Sequence, residues 1–283
     1  MTRRDRRRRI QSTIMTGLSA GTVLLALVPL ALIFFFVFSQ GLRSLDFDFF
    51  TQIPKPVGET GGGMANAIVG SLLLCGLGAL FAVPIGVASG IYISEYGDSW
   101  LSSASRFAAD TLNGVPSIVI GVVVYATVVL PMGHFSGLAG GIALGIMMIP
   151  LIARTTEELL RLVPATLREG ALALGATRSR AVLTVVVPAA LPGIITGVLL
   201  ALARIAGETA PLLFTAFNNA FWSEKLTQPV ASLTVQVYTY AKSPYEDWHR
   251  QAWAGSLVLV LLVMICSIVA RLATRRLQRM HGR

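Results

Sequence analysis

Charge is what this sequence lacks most. Only 13% of its 283 residues are Asp, Glu, Lys or Arg, about half the roughly 25% found in a soluble globular domain. That scarcity excludes an ordinary water-solvated surface. With 54% hydrophobic residues and a mean hydropathy of +0.70, the chain reads as a polytopic membrane protein. Lysine is almost missing. Lys55, Lys225 and Lys242 are the whole set, and none follows a glycine. A P-loop needs Gly-Lys-Ser/Thr so that the lysine reaches the nucleotide phosphates, so the chain is not expected to hydrolyse ATP or to be an enzyme. Histidine is scarce too. His134, His249 and His281 are scattered without metal-ligand spacing, and His134 and His281 read as solvated. The two cysteines, Cys75 and Cys266, both fall in apolar runs. They offer no disulfide framework and read as small buried hydrophobes. No serine or cysteine has a recognisable triad neighbourhood. No cofactor of the chain's own is expected.

What is present is apolar length. About six stretches approach or exceed the span of a transmembrane helix: Gly17–Phe38, Met64–Ile93, Ala108–Leu130, Gly137–Ala153, Ala189–Ala216 and Ala252–Ala273. In lipid, backbone groups must be satisfied within the segment, so these are expected to be helices and the fold class all-α. The start "MTRRDRRRRI" followed by "GLSAGTVLLALVPLALIFFFVF" has the look of a signal peptide. Its apolar run is long enough to span, and no small-residue cleavage site follows cleanly, so it reads as a retained first helix.

Lys and Arg outnumber Asp and Glu, 23 to 14, yet the distribution argues against nucleic acid. The arginines gather at Arg3–Arg9, at Arg106, at Arg154, Arg161, Arg168, Arg178 and Arg180, and at Arg271–Arg283. All of these fall on one side if the N-terminus is cytoplasmic, which also makes the C-terminus cytoplasmic. The other side holds Arg43, Lys55, Lys225, Lys242 and Arg250. Two outer loops follow. Ser39–Gly63 carries Asp46, Asp48, Glu59 and a Gly61-Gly62-Gly63 run. Asn218–Gln251 carries Trp222, Tyr238, Tyr240 and Trp248, which fit an interfacial aromatic belt or a docking surface. No internal repeat is visible. The expected organisation is a tail, first helix and outer loop over residues 1–63, a membrane domain over 64–274 and a basic tail over 275–283. Membrane lipid is the surroundings, with no specific lipid assigned.

One apolar run contains "ARIAGETAPLLFTA", Ala203–Ala216, where Arg204 and Glu208 interrupt the hydrocarbon. A mid-membrane charge costs at least about 2.5–3.5 kcal/mol on insertion scales. Four apart, the two would share a face of a continuous helix and could simply neutralise each other. An apolar pair is often as stable as a buried ion pair, however, and intramembrane ionisable residues mark pathways by default. Arginine presents a planar fork of donors suited to phosphate-like oxyanions. Glu208 would accept a hydrogen bond from an anion that keeps a proton and repel one that has none. Gly207, Thr209 and Pro211 beside the pair, and Asn113, Gly114, Pro116 and Ser117 at the third span, can break helices where they line a pathway. At these positions ordinary helix packing by small residues is the preferred reading. Asp110 reads as a cap or interfacial residue.

The stretch Arg154–Pro188 is too polar to span. Pro164 can open a helix and Gly175 can close one, with Leu167, Ala171 and Leu174 on one face beside Arg168 and Glu169. Such a helix can lie on its own protein or in a partner's groove. Glu169, Ala171, Gly175 and Pro188 stand at the spacing of the EAA loop of ABC-importer permeases, with Gly170, Val185 and Val187 departing from the pattern. The chain thus resembles that family. "NGVPSIVIG" and "RIAGETAPLLFTA" make it similar, more narrowly, to phosphate-importer permeases of the PstA type. The resemblance implies an all-α type I permease in a bacterial inner membrane, importing inorganic phosphate by alternating access. It implies a cytoplasmic ATPase homodimer that binds ATP and Mg and engages Glu169, a second homologous permease, and an extracytoplasmic phosphate-binding protein. Sulfate, molybdate or phosphonate as cargo, an ATP-independent anion transporter, and a non-transporting scaffold are the rivals.

Overall fold

The computed structural model describes residues 3–97 and 99–281, and among them only helices and turns occur. The side chains of residues 273–283, including His281 and most of the basic tail, lie outside the described set. Helix α1 (Arg3–Ser44) is longer than the apolar stretch that announced it. Nearly all of it is exposed, and it leans on the rest only near Val37 and its last turns. A short α2 (Phe47–Thr51) follows, capped by the Asp46 carboxylate, which accepts from the Phe49 N–H at 2.8 Å.

Helix α3 (Ala65–Glu95) is the spine. The third span does not form as one rod. The chain makes α4 (Trp100–Gly114) and α5 (Ser117–Met132), bent by 105°, so the straight span expected over Ala108–Leu130 is corrected. The cause is local. Pro116 has no N–H to donate and disfavours helical backbone at the residue before it. Val115 accordingly adopts φ −71, ψ 129. Helix α6 (Gly137–Arg161) begins at Ser136, whose hydroxyl accepts from the Ala139 N–H at 3.1 Å, and runs well past the expected end at Ala153. Then come α7 (Ala165–Ala173) and α8 (Arg178–Ile205). Only the middle of the polar stretch therefore lies outside the long helices, and most of it is α7. Its flanks belong to α6 and α8. The chain closes with α9 (Ala210–Leu213), α10 (Leu233–Ala241) and α11 (Glu246–His281).

Hydrocarbon gives no hydrophobic drive between helices, so association rests on close van der Waals packing, which small residues allow. The α3–α6 seam works this way. A methyl at Gly78, Gly86 or Gly90 would fall 2.6–3.1 Å from Leu144, Ile152 and Ala153 or Thr156 respectively. Rising numbers on α3 meet rising numbers on α6, so the two run parallel. The chain must then cross back between them, and bent α4–α5 is that return. Among the described residues five helices are long and apolar enough to cross a membrane, and the bent pair counted as one span makes six; an even number leaves both ends on one face. The shared core of Leu74, Leu144, Met148, Ile152, Ala201, Ile205 and Leu212 locks α8 and α9 onto this pair.

Both α5 and α8 contain a π turn, Tyr125–Val129 and Val182–Val186. Each is followed two residues later by a proline, Pro131 or Pro188. A proline removes one i→i−4 bond and its ring crowds that carbonyl, so widening of the preceding turn is the expected response.

Candidate functional site

Helix α8 ends at Ile205, so the intramembrane pair does not share a helical face as expected. The Gly207 and Glu208 N–H groups close a turn on the Arg204 and Ile205 carbonyls at 3.2 and 3.0 Å, and α9 restarts at Ala210. Arg204 lies in the last turn of α8, where the orphaned carbonyl end of the helix dipole favours a cation. Its side chain is exposed and has no hydrogen-bond or ion-pair partner among the described residues. No ion pair joins it to Glu208 there. Glu208 is half-buried, and its main-chain carbonyl accepts from the Thr234 hydroxyl of α10 at 3.0 Å. Thr209 precedes α9 without a side-chain cap bond.

The second break carries Asn113 and Ser117, both half-buried. Helix α5 starts at Ser117 with no side-chain cap, and the Val119 N–H is taken up by the Pro116 carbonyl at 3.0 Å. One contact braces the two breaks. A methyl on Gly121 would sit 2.7 Å from the Pro211 Cα, so α5 and α9 touch backbone to backbone. Further along, Phe135 stacks on Phe217 at 4.8 Å and the Ser136 N–H reaches the Thr215 carbonyl at 3.0 Å. Phe217 holds φ +60, unusual for a bulky residue. The structure thus draws the two broken segments against each other. Among the described residues it makes no direct bond between Asn113 or Ser117 and Arg204 or Glu208.

Outward of this region, Trp248 stacks on Tyr240 at 4.3 Å, and Tyr240 is only 2% exposed. These two form packed core, not a belt. Trp222 and Tyr238 remain exposed as expected. Burial pushes the Tyr240 phenol above its usual range, partly opposed by the hydrogen bond with Gln236. An outer cavity of about 340 Å³ opens between Asn66 and the Phe221–Leu226 segment. His134 is exposed, and Cys75 and Cys266 are free and half-buried.

On the opposite side, α7 has no buried residue, and Leu162, Leu167, Leu172 and Leu174 are 78%, 44%, 46% and 91% exposed. Glu169 and Gly170 also face out, while Ala171 is half-buried. Pro164 stands one residue before the helix instead of inside it. Gly175 closes it with φ +83. Its N–H meets the Leu172 carbonyl at 2.9 Å and the Ala176 N–H meets the Ala171 carbonyl at 3.2 Å, the paired bonds of a Schellman cap that favours glycine. Nothing lies within 4 Å of a methyl built on Gly170, so alanine would fit there and the departure from Glu-Ala-Ala is not forced by space. Pro188 follows the π turn at the base of α8.

Residue-pattern reasoning missed two buried acids on this side. Glu157, 1% exposed, is held by Arg106 at 2.9 Å, Arg154 at 2.6 Å and Arg161 at 2.8 Å. The Arg154–Glu157–Arg161 spacing was visible as i,i+3 and i,i+4 pairs, but the link to Arg106 on α4 was not. Asp110 pairs with Arg154 at 2.9 Å and Ser99 caps α4, so of the two expectations for Asp110, a cap or an interfacial residue, the cap does not hold. Glu95, at the end of α3, meets Arg168 of α7. No local signal in the sequence pointed to it.

A family model described as "Binding-protein-dependent transport system inner membrane component" matches residues 82–280. A phosphate transport system permease protein PstA of Yersinia pestis is 46% identical, covering 93% of this chain and 90% of its own length. The PstA of Haemophilus influenzae is 44% identical over 94% of both chains. In fold, the chain is similar to a subunit of a bacterial alginate ABC transporter solved with its alginate-bound periplasmic protein. That likeness has a TM-score of 0.68 at 15% identity over 93% of this chain and 94% of the other. With most of its length matched by the family model and near-full-length relatives well above 30% identity, this chain belongs to the binding-protein-dependent transport system inner membrane components.

Proposed function

We infer that this chain is the transmembrane permease subunit of an ATP-driven importer for inorganic phosphate. It works by alternating access coupled to a separate ATPase. Its kinship with phosphate permeases over nearly its whole length supports the cargo. The observation that carries the chemistry is Arg204, a permanent cation with no partner among the described residues, beside a helix break. An uncompensated intramembrane charge is costly. A passing anion, or a second permease chain lining the same pathway, is what would compensate it.

In this reading Arg204 attracts the anion with a forked donor, and Thr209, Ser117 and Asn113 offer further polar groups at the two breaks. The uncapped start of α5 adds N–H groups suited to an oxyanion. Glu208 limits residence and selects. It accepts a hydrogen bond from phosphate that keeps a proton, whereas fully ionised sulfate offers none. The uncovered leucines of α7, with Glu169, Gly170 and Ala171, dock in a groove of a cytoplasmic ATPase homodimer, and Gly175 and Pro188 fix the helix's exit. That ATPase holds ATP and Mg. A second homologous permease and an extracytoplasmic phosphate-binding protein complete the complex. Both termini are cytoplasmic in a bacterial inner membrane, because that orientation alone keeps the arginine-rich segments inside.

The test is phosphate uptake into proteoliposomes. The complete complex is expected to accumulate phosphate only with ATP and the binding protein supplied, and this chain alone is expected to carry none. Gradient-driven uptake by the chain alone would overturn the reading in favour of a secondary transporter.

A further inference from the structure

Helix α7 is nine residues long and buries none of them. It packs on the first turns of α8, yet any movement imposed on it must reach the α3–α6 pair that carries the core. One side chain spans that gap. The Arg168 guanidinium donates through Nη2 to Glu95 Oε1 at 3.1 Å and through Nε to the same oxygen at 3.3 Å. Nη2 also reaches the Leu160 carbonyl at 2.8 Å, and Nη1 reaches the Val163 carbonyl at 2.9 Å. A single planar fork therefore ties α7 to the end of α3 and to the end of α6. The carbonyls at a helix C-terminus welcome such a cation. Glu95 is 8% exposed, so the pair is shielded from screening on the acid's side. From the far side of Gly175, Arg178 donates to the Glu95 main-chain oxygen and lies 4.7 Å from the centre of the Tyr96 ring. Both flanks of the α7 turn thus grip the same few residues of α3.

Stability alone does not call for this arrangement, since buried ion pairs are often replaceable by apolar residues. What the fork supplies is direction. Its planar, multidentate geometry fixes orientation as a flexible ammonium cannot. The glycine seam makes α3 and α6 one body, and that body shares its core with Ala201, Ile205 and Leu212 around the Arg204 turn.

We propose that Arg168 and Glu95 are positioning residues for transport, forming the strut through which movement of α7 is delivered to α3 and α6. The proposal rests on the reading of α7 as the ATPase-docking helix. The strut is tested in the complete complex in proteoliposomes, by the phosphate taken up per ATP hydrolysed. The variants are Arg168→Met, Arg168→Lys, and Arg168→Met combined with Glu95→Gln, which leaves no stranded buried charge. ATP hydrolysis is expected to persist in the methionine variants while phosphate per ATP falls by about tenfold. Lysine is expected to recover part of it, because an ammonium can meet Glu95 but not Glu95 and both carbonyls together. If the single methionine variant does not assemble, the double variant and Arg168→Lys decide. A native ratio in those assembled variants overturns the strut, and so does a proportional loss of hydrolysis and uptake. Failure of the native chain to hold the ATPase would remove the docking reading and the strut with it, so the two failures are distinct.

Discussion

Arg204 and Glu208 show what a helix break changes for individual residues. On an unbroken helix they would satisfy each other. Ended at Ile205, the helix releases Glu208 into a turn and leaves Arg204 without a partner among the described residues. The charges stood out in the sequence as candidate pathway residues because hydrocarbon makes them expensive. The break was half legible, since Gly207 and Pro211 mark it, but periodicity alone extended the helix through them. Glu208 gives the sharper prediction. Glu208→Gln keeps the size and an acceptor oxygen but removes the repulsion toward a fully ionised anion. It is expected to lower phosphate-over-sulfate preference in competitive uptake by the complete complex. An unchanged preference would detach Glu208 from selection. Glu157 illustrates the opposite case, a charge whose work is structural. Of its three arginines, Arg106 ties α4 to α6, while Arg154 and Arg161 meet it from α6 itself. Removing one member of a buried pair costs about 3–5 kcal/mol, and partial exposure of the arginines places Glu157→Gln at or below the lower end. The expected outcome is a lower thermal midpoint of the detergent-solubilised complex.

At the scale of elements, prolines and glycines decide the shape. Pro116 turns one expected span into two helices at 105°, and Pro131 and Pro188 each follow a π turn. The sequence announced these residues, and their role as breakers is elementary. How far the bend would go was not legible, because it is set by the parallel α3–α6 seam across which α4–α5 must return. Helix α7 was legible nearly to the residue, since its limits are written in local backbone chemistry: a proline before it and a left-handed glycine after it. Gly175→Val would place a β-branched residue at φ +83. Left-handed backbone costs an L-residue about 1–2 kcal/mol, and open space around Gly175 excludes a clash as the cause. The expected result is looser retention of the ATPase on co-purification, with the chain still inserted and folded. Glu95 was invisible in sequence for a contrasting reason. Its partner Arg168 lies 73 residues further along the chain and is brought to it only by tertiary folding.

For the whole molecule, the arrangement joins two ends of one lever. Six candidate spans among the described residues, counting the bent pair, would put the N-terminal end of α1, the C-terminal end of α11 and the uncovered α7 on one face, with the broken α8–α9 turn set into the same core that α3 and α6 share. That placement is what an importer needs if nucleotide-driven motion at one surface is to open an anion path within the membrane. The central claim is that Arg204 belongs to that path. The most direct measurement is phosphate uptake by the complete complex in proteoliposomes, native against Arg204→Gln, with ATP hydrolysis followed in the same preparation. Uptake is predicted to collapse while the complex assembles and hydrolyses ATP. Uptake at the native rate would make Arg204 a structural cation at a helix end and contradict the account.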